Sequence, residues 1–370
     1  MTESIKIFWN RIGKRKRYWL PVIFFTISTF GYSVFSRTIS VDDLATDYYF
    51  GSGHQMISAG RWGMNLLIRL SAIPLRSPAS DWLLATAFLV LAGILLSAMF
   101  FSIHDIHSGT LYVEKYTVLT CALITYPIIG EIWEYTGANY FSTLGMLISV
   151  CTCYYLLSRE KTKIKDLLLA GVGMALPMSS YESGVLFYIT LICTVLFYCF
   201  FIQKLKRMIE YWKKAVILSA PLFVAVSIRW GVACFLRWIY GVEKGTVGET
   251  GIYWNKEALL ATFKKLIIDT ELNYFINGLV YLPITVFILS IILLMYCIVL
   301  QSIYNRSFTI CFSGVVMILS AFTISVIQGA MMQYRVATPL SMWVLFESKN
   351  GIFWYSSRTS LWMDNWLLQE

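Results

Sequence analysis

The most informative feature of this 370-residue chain is its shortage of charge, because Asp, Glu, Lys and Arg make up only 14% of it. Soluble domains carry about 25%, and the mean hydropathy of this chain is +0.65. Apolar stretches of about 20 residues, the length that crosses about 30 Å of hydrocarbon, recur along the sequence. These properties exclude an ordinary soluble domain and predict an all-α polytopic membrane protein.

Nucleotide-binding and zinc-binding motifs are also missing from the sequence. There is no Walker loop, no dinucleotide-binding glycine fingerprint and no Cys/His zinc pattern. An ATP-driven pump is therefore not expected. His104 and His107 lie close together, but two histidines without further ligands indicate a structural loop. We predict no metal site and no cofactor, and dependence on a divalent metal stays open.

The cysteines do not follow a pattern typical of disulfides. All fall in apolar stretches, where a free thiol behaves as a small buried hydrophobe. They therefore give no support to a disulfide framework; the eight are Cys121, Cys151, Cys153, Cys193, Cys199, Cys234, Cys297 and Cys311.

The net charge of +9 could suggest nucleic acid, but the placement of the basic residues argues against that partner. They gather in short segments between apolar stretches, which is the positive-inside signature of membrane proteins. We therefore expect no nucleic-acid partner and a cytoplasmic N-terminus. The basic segments are Lys6, Arg11, Lys14, Arg15, Lys16 and Arg17 before the first span, Arg159, Lys161, Lys163 and Lys165 after the fourth, and Lys204, Lys206, Arg207, Lys213 and Lys214 after the sixth.

The apolar stretches predict a bundle of about 9–10 transmembrane helices in a single domain, residues 1–346. A tail at 347–370 mixes charges with tryptophans, which suits an interfacial or truncated segment. Two long extracytoplasmic loops, about 37–80 and 241–277, are expected to carry amphipathic helices. The predicted spans are about 18–36, 82–101, 116–130, 141–157, 167–178, 184–202, a seventh from 215, 278–300 and 308–328.

Both long loops contain helical patterns. Apolar residues recur at helical spacing from Asn255 to Asp269, while lysines occupy other faces, which indicates an amphipathic helix in the membrane interface. In the first loop, Ser40 followed by Asp43 resembles a helix start. Gly60 is expected to end that helix.

A carboxylate cluster formed by Asp42, Asp43 and Asp47 follows the first span directly. A positioned carboxylate can act as general base on a sugar hydroxyl. The alternative is a helix cap with a solvated face. Arg61 and Trp62 in the same loop supply a cation and an aromatic platform, so we favour catalysis or direct substrate contact.

Further acids and arginines lie at the predicted outer ends of spans. Glu131 and Glu134, and the pair Tyr181 and Glu182 between the fifth and sixth spans, can hydrogen-bond a sugar or serve at the interface. Arginine suits bidentate phosphate binding, but it also reaches lipid headgroups without a specific role. The arginines at these positions are Arg229, Arg237 and Arg335.

Asp42-Asp43 after the first span, Gly60-Arg61-Trp62 and the turn from Pro177 to Tyr181 together resemble the type II family of bacterial membrane glucosyltransferases that modify O-antigen. The likeness extends from about residue 20 to about residue 340. It implies a GT-C type fold in the bacterial cytoplasmic (inner) membrane. It also implies transfer of glucose, or another hexose, from undecaprenyl-phosphate-glucose to O-antigen or a similar surface glycan. Besides membrane lipid, a donor synthase and a flippase of the same pathway are implied partners.

The resemblance also implies roles for the candidate residues. Either Asp42 or Asp43 would activate the acceptor hydroxyl, and an arginine would stabilise the leaving lipid phosphate. A lipid or glycan flippase or transporter, and a non-catalytic membrane assembly factor, stay open as alternatives. The implied donor-phosphate ligands are Arg61, Arg229 and Arg335; the implied acceptor and sugar ligands are Asp47, Trp62, Glu131, Glu134, Tyr181 and Glu182.

Overall fold

The computed structural model is helical throughout the part of the chain that it describes, with no β-strand there. The predicted eighth span and the tail at 347–370 lie largely or wholly outside this part. The structure describes residues 2–35, 54–71, 78–104, 113–125, 139–159, 161–181, 183–203, 208–244, 259–270, 292, 295–296, 298–300, 302–303 and 308–320.

The helices follow the predicted apolar stretches, and one π-helical turn at Trp9–Gly13 follows the first helix. In chain order they are α1 Thr2–Phe8, α2 Lys16–Phe35, α3 His54–Ser58, α4 Trp62–Ser71, α5 Pro78–His104, α6 Val113–Ile124, α7 Asn139–Leu157, α8 Ile164–Ser180, α9 Ser183–Gln203, α10 Met208–Tyr240, α11 Leu259–Thr270 and α12 Phe308–Ser320.

Three of the described helices are long and apolar enough to cross a membrane. They are α5 over Ser80–Ile103, α7 over Tyr140–Leu157, and α10 over its full length. Shorter apolar stretches in α9 and α12 accompany them. The predicted fold class, an all-α polytopic membrane protein, is confirmed. The amphipathic helix predicted in the second long loop is present as α11.

Two helices extend beyond their predicted bounds at their charged ends. The predicted fifth span, about 167–178, lies inside α8, which has 17 residues and begins at Ile164. Similarly, α10 begins at Met208 and not at Ala215. In the sequence, charged residues end the apolar stretches. The helix nevertheless continues into the polar interface, where such side chains reach water.

The central helix of the bundle is α7, which packs against α5, α8 and α9. Close backbone contacts hold it against the last two. A Cβ on Gly145 would lie 3.1 Å from the Cα of Gly184 and 3.3 Å from the Cβ of Pro177. Beside this contact, the hydroxyls of Ser142 and Ser183 are 2.6 Å apart. The start of α9 is therefore held against both α7 and the end of α8.

A buried polar contact joins α2, α5 and α6. The hydroxyl of Tyr18 lies 2.9 Å from that of Thr120, which is also 2.8 Å from the hydroxyl of Ser97. All three side chains are fully buried. Because a buried hydroxyl without a partner is costly, this contact fixes the relative positions of the three helices.

Contacts between helices also show which helix ends lie together. Phe100 of α5 and Tyr198 of α9 have ring centroids 4.9 Å apart, near the C-terminal ends of both helices. The N-terminal ends of α5 and α9 therefore share the other end of the bundle, beside the end of α8. We call this the Tyr181 end, and the end where α8 begins the Asp166 end.

Candidate active site

Gly60 forms the turn that places Arg61 and Trp62 beside α8 and α10. Its φ is +75°, a left-handed conformation that glycine adopts without steric cost. The amide of Gly60 donates to the Ile57 carbonyl at 3.0 Å, and the amide of Arg61 donates to the Met56 carbonyl at 2.7 Å. This is the Schellman pattern that ends a helix. A helix therefore ends at Gly60, as predicted, while the predicted start of that helix at Ser40 lies outside the described residues.

Gly63 brings α4 against the end of α8. A Cβ at this position would meet the Ser180 hydroxyl at 2.8 Å and the Leu176 carbonyl at 3.0 Å, and it would overlap the Ser179 hydroxyl. No side chain larger than hydrogen fits this contact without movement. The glycine that follows Arg61 and Trp62 in the sequence is therefore what allows these two residues to reach α8.

Arg61 lies over the aromatic ring of Tyr181, the residue directly after α8. The guanidinium carbon is 5.8 Å from the ring centroid, within the range of cation–π attraction. Tyr181 is buried, and Arg61 is partly exposed. The ring thus helps to hold the cation in place at a position where the Arg61 side chain reaches the surface.

Trp62 connects the same turn to α10. Its indole N–H donates to the backbone carbonyl of Arg229 at 3.3 Å. The preceding helix, α3, is attached to the end of α10 as well, because the Ser58 hydroxyl donates to the Glu243 carbonyl at 2.9 Å. The turn is therefore held between α8 and α10, with Arg229 part of the same assembly.

Four residues that the sequence indicates as ligands of donor phosphate or sugar are linked here: Arg61 contacts the ring of Tyr181, and Trp62 contacts the backbone of Arg229. They come from three separate parts of the chain and meet at the Tyr181 end. We refer to these four as the Arg61–Tyr181 cluster. The other candidates lie outside the described residues; they are Asp42, Asp43, Asp47, Glu131, Glu134, Glu182 and Arg335.

The described helices on either side of the candidate acids both reach this same end. Asp42 and Asp43 lie in the segment between Phe35, where α2 ends, and His54, where α3 begins. Because α2 begins beside the C-terminal part of α5 and runs across the bundle, it ends at the Tyr181 end. The two helix ends that flank this segment, Phe35 and His54, therefore lie on the side of the Arg61–Tyr181 cluster.

Asp81 is a candidate that the sequence interpretation missed. It lies in the first turn of α5, at the Tyr181 end, and it is fully buried. Neither carboxylate oxygen accepts a hydrogen bond from a residue that the structure describes. A carboxylate at membrane depth is costly and is therefore a candidate for function. The predicted span begins at Trp82, immediately after this acid. The position of an acid next to a long uncharged stretch is the sequence feature that could have indicated Asp81.

The Arg61–Tyr181 cluster has the chemistry of an anion and sugar site. A guanidinium can bind phosphate through two parallel hydrogen bonds, and an indole offers an amphipathic face for packing. Among the described residues there is no group of acids, histidines or cysteines that could hold a metal ion. The cluster itself contributes cations and aromatic rings, so it suits a phosphorylated ligand better than a metal.

The helical bundle and the cluster at its end define an integral membrane protein with a cationic, aromatic site. A family model described as "Glucosyl transferase GtrII" matches residues 31–346. The chain belongs to this family of glucosyl transferases and is a glycosyltransferase. The resemblance to the type II glucosyltransferase family is thereby confirmed. The match includes every candidate site residue named above.

Neither the curated proteins nor the solved structures contain a significant match to the chain.

Proposed function

We propose that this protein transfers glucose, or another hexose, from an undecaprenyl-phosphate-linked donor to O-antigen or a similar surface glycan. The reaction would occur at the outer face of the bacterial cytoplasmic (inner) membrane. The observation that carries this proposal is the position of Arg61 on the Tyr181 ring, with Trp62 bonded to the backbone of Arg229. It supports a site for a phosphate and a sugar at the end of a membrane bundle.

The donor phosphate would lie against the arginines. Arg61 is positioned before the substrate arrives, because the ring of Tyr181 and the turn at Gly60 restrain it. A restrained cation loses little entropy on binding and needs little reorganisation as charge develops. Arg229, and Arg335 outside the described residues, are the further proposed phosphate ligands. No nucleotide is needed, which agrees with the missing nucleotide motifs.

The transfer step can be written with Asp42 or Asp43 as the general base. The acceptor hydroxyl oxygen attacks the anomeric carbon of the donor sugar and forms the new glycosidic bond. The bond between that carbon and the phosphate oxygen breaks, and its electron pair stays on the prenyl phosphate beside Arg61. The hydroxyl proton passes to the aspartate carboxylate. Asp47, Trp62, Tyr181, Glu131, Glu134 and Glu182 are proposed to orient the sugars.

The distribution of charge supports the proposed orientation. Exposed basic residues lie at the Asp166 end, including Lys16, Lys163 and Lys213. The positive-inside tendency favours the cytoplasm for that end. The Arg61–Tyr181 cluster would then face the outside, where a GT-C type enzyme would meet a lipid-linked donor that a flippase has delivered. A donor synthase would act before that flippase.

Substitution of the two acids tests the proposal. Asp42→Asn and Asp43→Asn are assayed in membranes for transfer of labelled glucose from its polyprenyl phosphate to glycan, with insertion confirmed. Loss of the general base is expected to lower transfer about 10²- to 10⁴-fold in at least one variant. Glu243→Gln, an exposed carboxylate at the same end, is the matched control and should transfer normally. Wild-type transfer in both aspartate variants would refute the catalytic assignment.

A further inference from the structure

We propose that the cavity at the Asp166 end of α8 binds the phosphate headgroup of an anionic phospholipid. This site is separate from the Arg61–Tyr181 cluster, since the two lie at opposite ends of α8. The 17 residues of that helix span about 25 Å. The proposal therefore does not depend on the transfer reaction.

The cavity is open, has a volume of about 340 Å³, and lies between the end of α7 and the start of α8. This volume is within the range of sites for small ligands. Its described lining contains four cations and a single carboxylate, so the positive charge dominates. The lining residues are Tyr155, Arg159, Lys161, Lys163, Lys165, Asp166 and Leu169.

A hydrogen-bond network holds the wall of this cavity in place. The Tyr155 hydroxyl donates to Oδ1 of Asp166 at 2.6 Å, and it accepts a bond from the guanidinium of Arg159 at 3.0 Å. That guanidinium also lies over the Tyr155 ring, 4.6 Å from its centroid. The cation is therefore positioned by two contacts before any ligand enters.

The one carboxylate in the described lining, Asp166, is already engaged. Oδ2 of Asp166 accepts a hydrogen bond from the backbone amide of Lys163 at 2.9 Å, while Oδ1 accepts the bond from Tyr155. Arg159 adds an ion pair to Oδ1 at 3.7 Å. Because its charge is compensated inside the protein, Asp166 opposes an incoming anion only weakly.

The three lysines supply the adaptable part of the site. Lys161, Lys163 and Lys165 have exposed side chains beside the positioned Arg159. An ammonium on a flexible stem can turn towards a phosphate from several directions. Clusters of this kind at a membrane surface attract anionic lipid headgroups.

The apolar surface next to the cavity favours a lipid over free phosphate. Leu169 lines the cavity itself. Ile164, Leu168 and Val172 are 76%, 51% and 58% exposed, and their spacing of four places them along one face of α8. An acyl chain can lie along this stripe while its headgroup occupies the cavity. Inorganic phosphate would make no use of the stripe.

The experiment measures lipid binding to the purified full-length protein by native mass spectrometry. Phosphatidylglycerol and phosphatidylcholine are titrated separately into wild type and into K161Q/K163Q/K165Q. Each cation near the surface contributes about fivefold in affinity, so the triple variant should lose on the order of 100-fold in phosphatidylglycerol affinity. Phosphatidylcholine binding should not change.

Two matched variants make the result specific. K161R/K163R/K165R keeps the charge and should retain phosphatidylglycerol binding. K14Q/K16Q/K213Q removes three exposed lysines that do not line the cavity. It should bind within about twofold of wild type, because these side chains do not contact a headgroup in the cavity and salt screens charges that act from a distance.

Several results would overturn the proposal. Unchanged phosphatidylglycerol binding in K161Q/K163Q/K165Q would show that these lysines do not form the site. An equal loss of binding in K14Q/K16Q/K213Q would indicate a general effect of surface charge. Equal binding of both lipids to wild type would remove the headgroup selectivity. Displacement of phosphatidylglycerol by millimolar inorganic phosphate would identify a free-phosphate site.

Discussion

Gly63→Ala is the substitution whose consequence follows most directly from the structure. The new Cβ would lie 2.8 Å from the Ser180 hydroxyl and 3.0 Å from the Leu176 carbonyl, and would overlap the Ser179 hydroxyl. Both hydroxyls are held by bonds to backbone carbonyls within α8; that of Ser179 donates to Ala175 at 2.7 Å. They cannot turn away without losing those bonds, so α4 must move away from α8.

The cost of such overpacking is about 1–3 kcal/mol. α4 lies at the edge of the bundle, so we expect it to shift outwards and carry Arg61 away from the Tyr181 ring. A displacement of about 1 Å at a catalytic group can lower the rate on the order of 100-fold. Transfer of labelled glucose should fall by about that factor, while the melting temperature should fall by only a few degrees, in proportion to that cost.

Two further variants test this reasoning. Gly231→Ala places the same methyl group on α10, where a Cβ would meet nothing within 4 Å among the described residues, and it should retain full activity. The double variant Gly63→Ala with Ser179→Ala removes the nearest obstructing atom and should recover part of the activity. Wild-type transfer in Gly63→Ala itself would refute the account of the α4–α8 contact.

Three other predictions concern Arg61, Asp81 and Asp166. Arg61→Gln should lower transfer about 10²- to 10³-fold through loss of phosphate stabilisation. Arg69→Gln, an exposed arginine on the helix that follows Arg61, should not lower it; similar activities would remove Arg61 from the site. Asp81→Leu should raise the free energy of unfolding by about 1–3 kcal/mol, because the buried carboxylate has no partner among the described residues; a lower melting temperature in detergent would contradict this. Hydrogen bonds from Tyr155 and from the backbone of Lys163, followed by the charges of Arg159 and Lys165, lower the pKa of Asp166. The stability it contributes is therefore present above the unfolded pKa of about 3.9 and is lost as the pH falls through the lower folded value. Melting curves should show that loss in wild type but not in Asp166→Asn, and identical pH profiles would refute it.

The apolar helices could be predicted because their signal is local. The length of an apolar stretch decides whether it crosses the hydrocarbon, and this gave α5, α7 and α9 close to their observed bounds. The end of α3 at Gly60 was predictable for the same reason, because a left-handed residue is a local requirement. Helix bounds at charged ends were less accurate, as the early starts of α8 and α10 show.

The assembly of the site could not be predicted in the same way. Trp62 and Arg229 are 167 positions apart in the chain, and no local pattern indicates that an indole of one will bond to the backbone of the other. The fit of Gly63 against the hydroxyls of Ser179 and Ser180 likewise depends on how α4 packs against α8. Asp81 was missed because its burial follows from packing and not from its neighbours in sequence.

The most direct test of the central claim is the choice of sugar donor. The purified protein is reconstituted into liposomes with a surface-glycan acceptor and given labelled glucose either on polyprenyl phosphate or on a nucleotide diphosphate. The account predicts transfer from the polyprenyl phosphate donor and none from the nucleotide sugar. Transfer from the nucleotide sugar, with none from the lipid-linked donor, would contradict it.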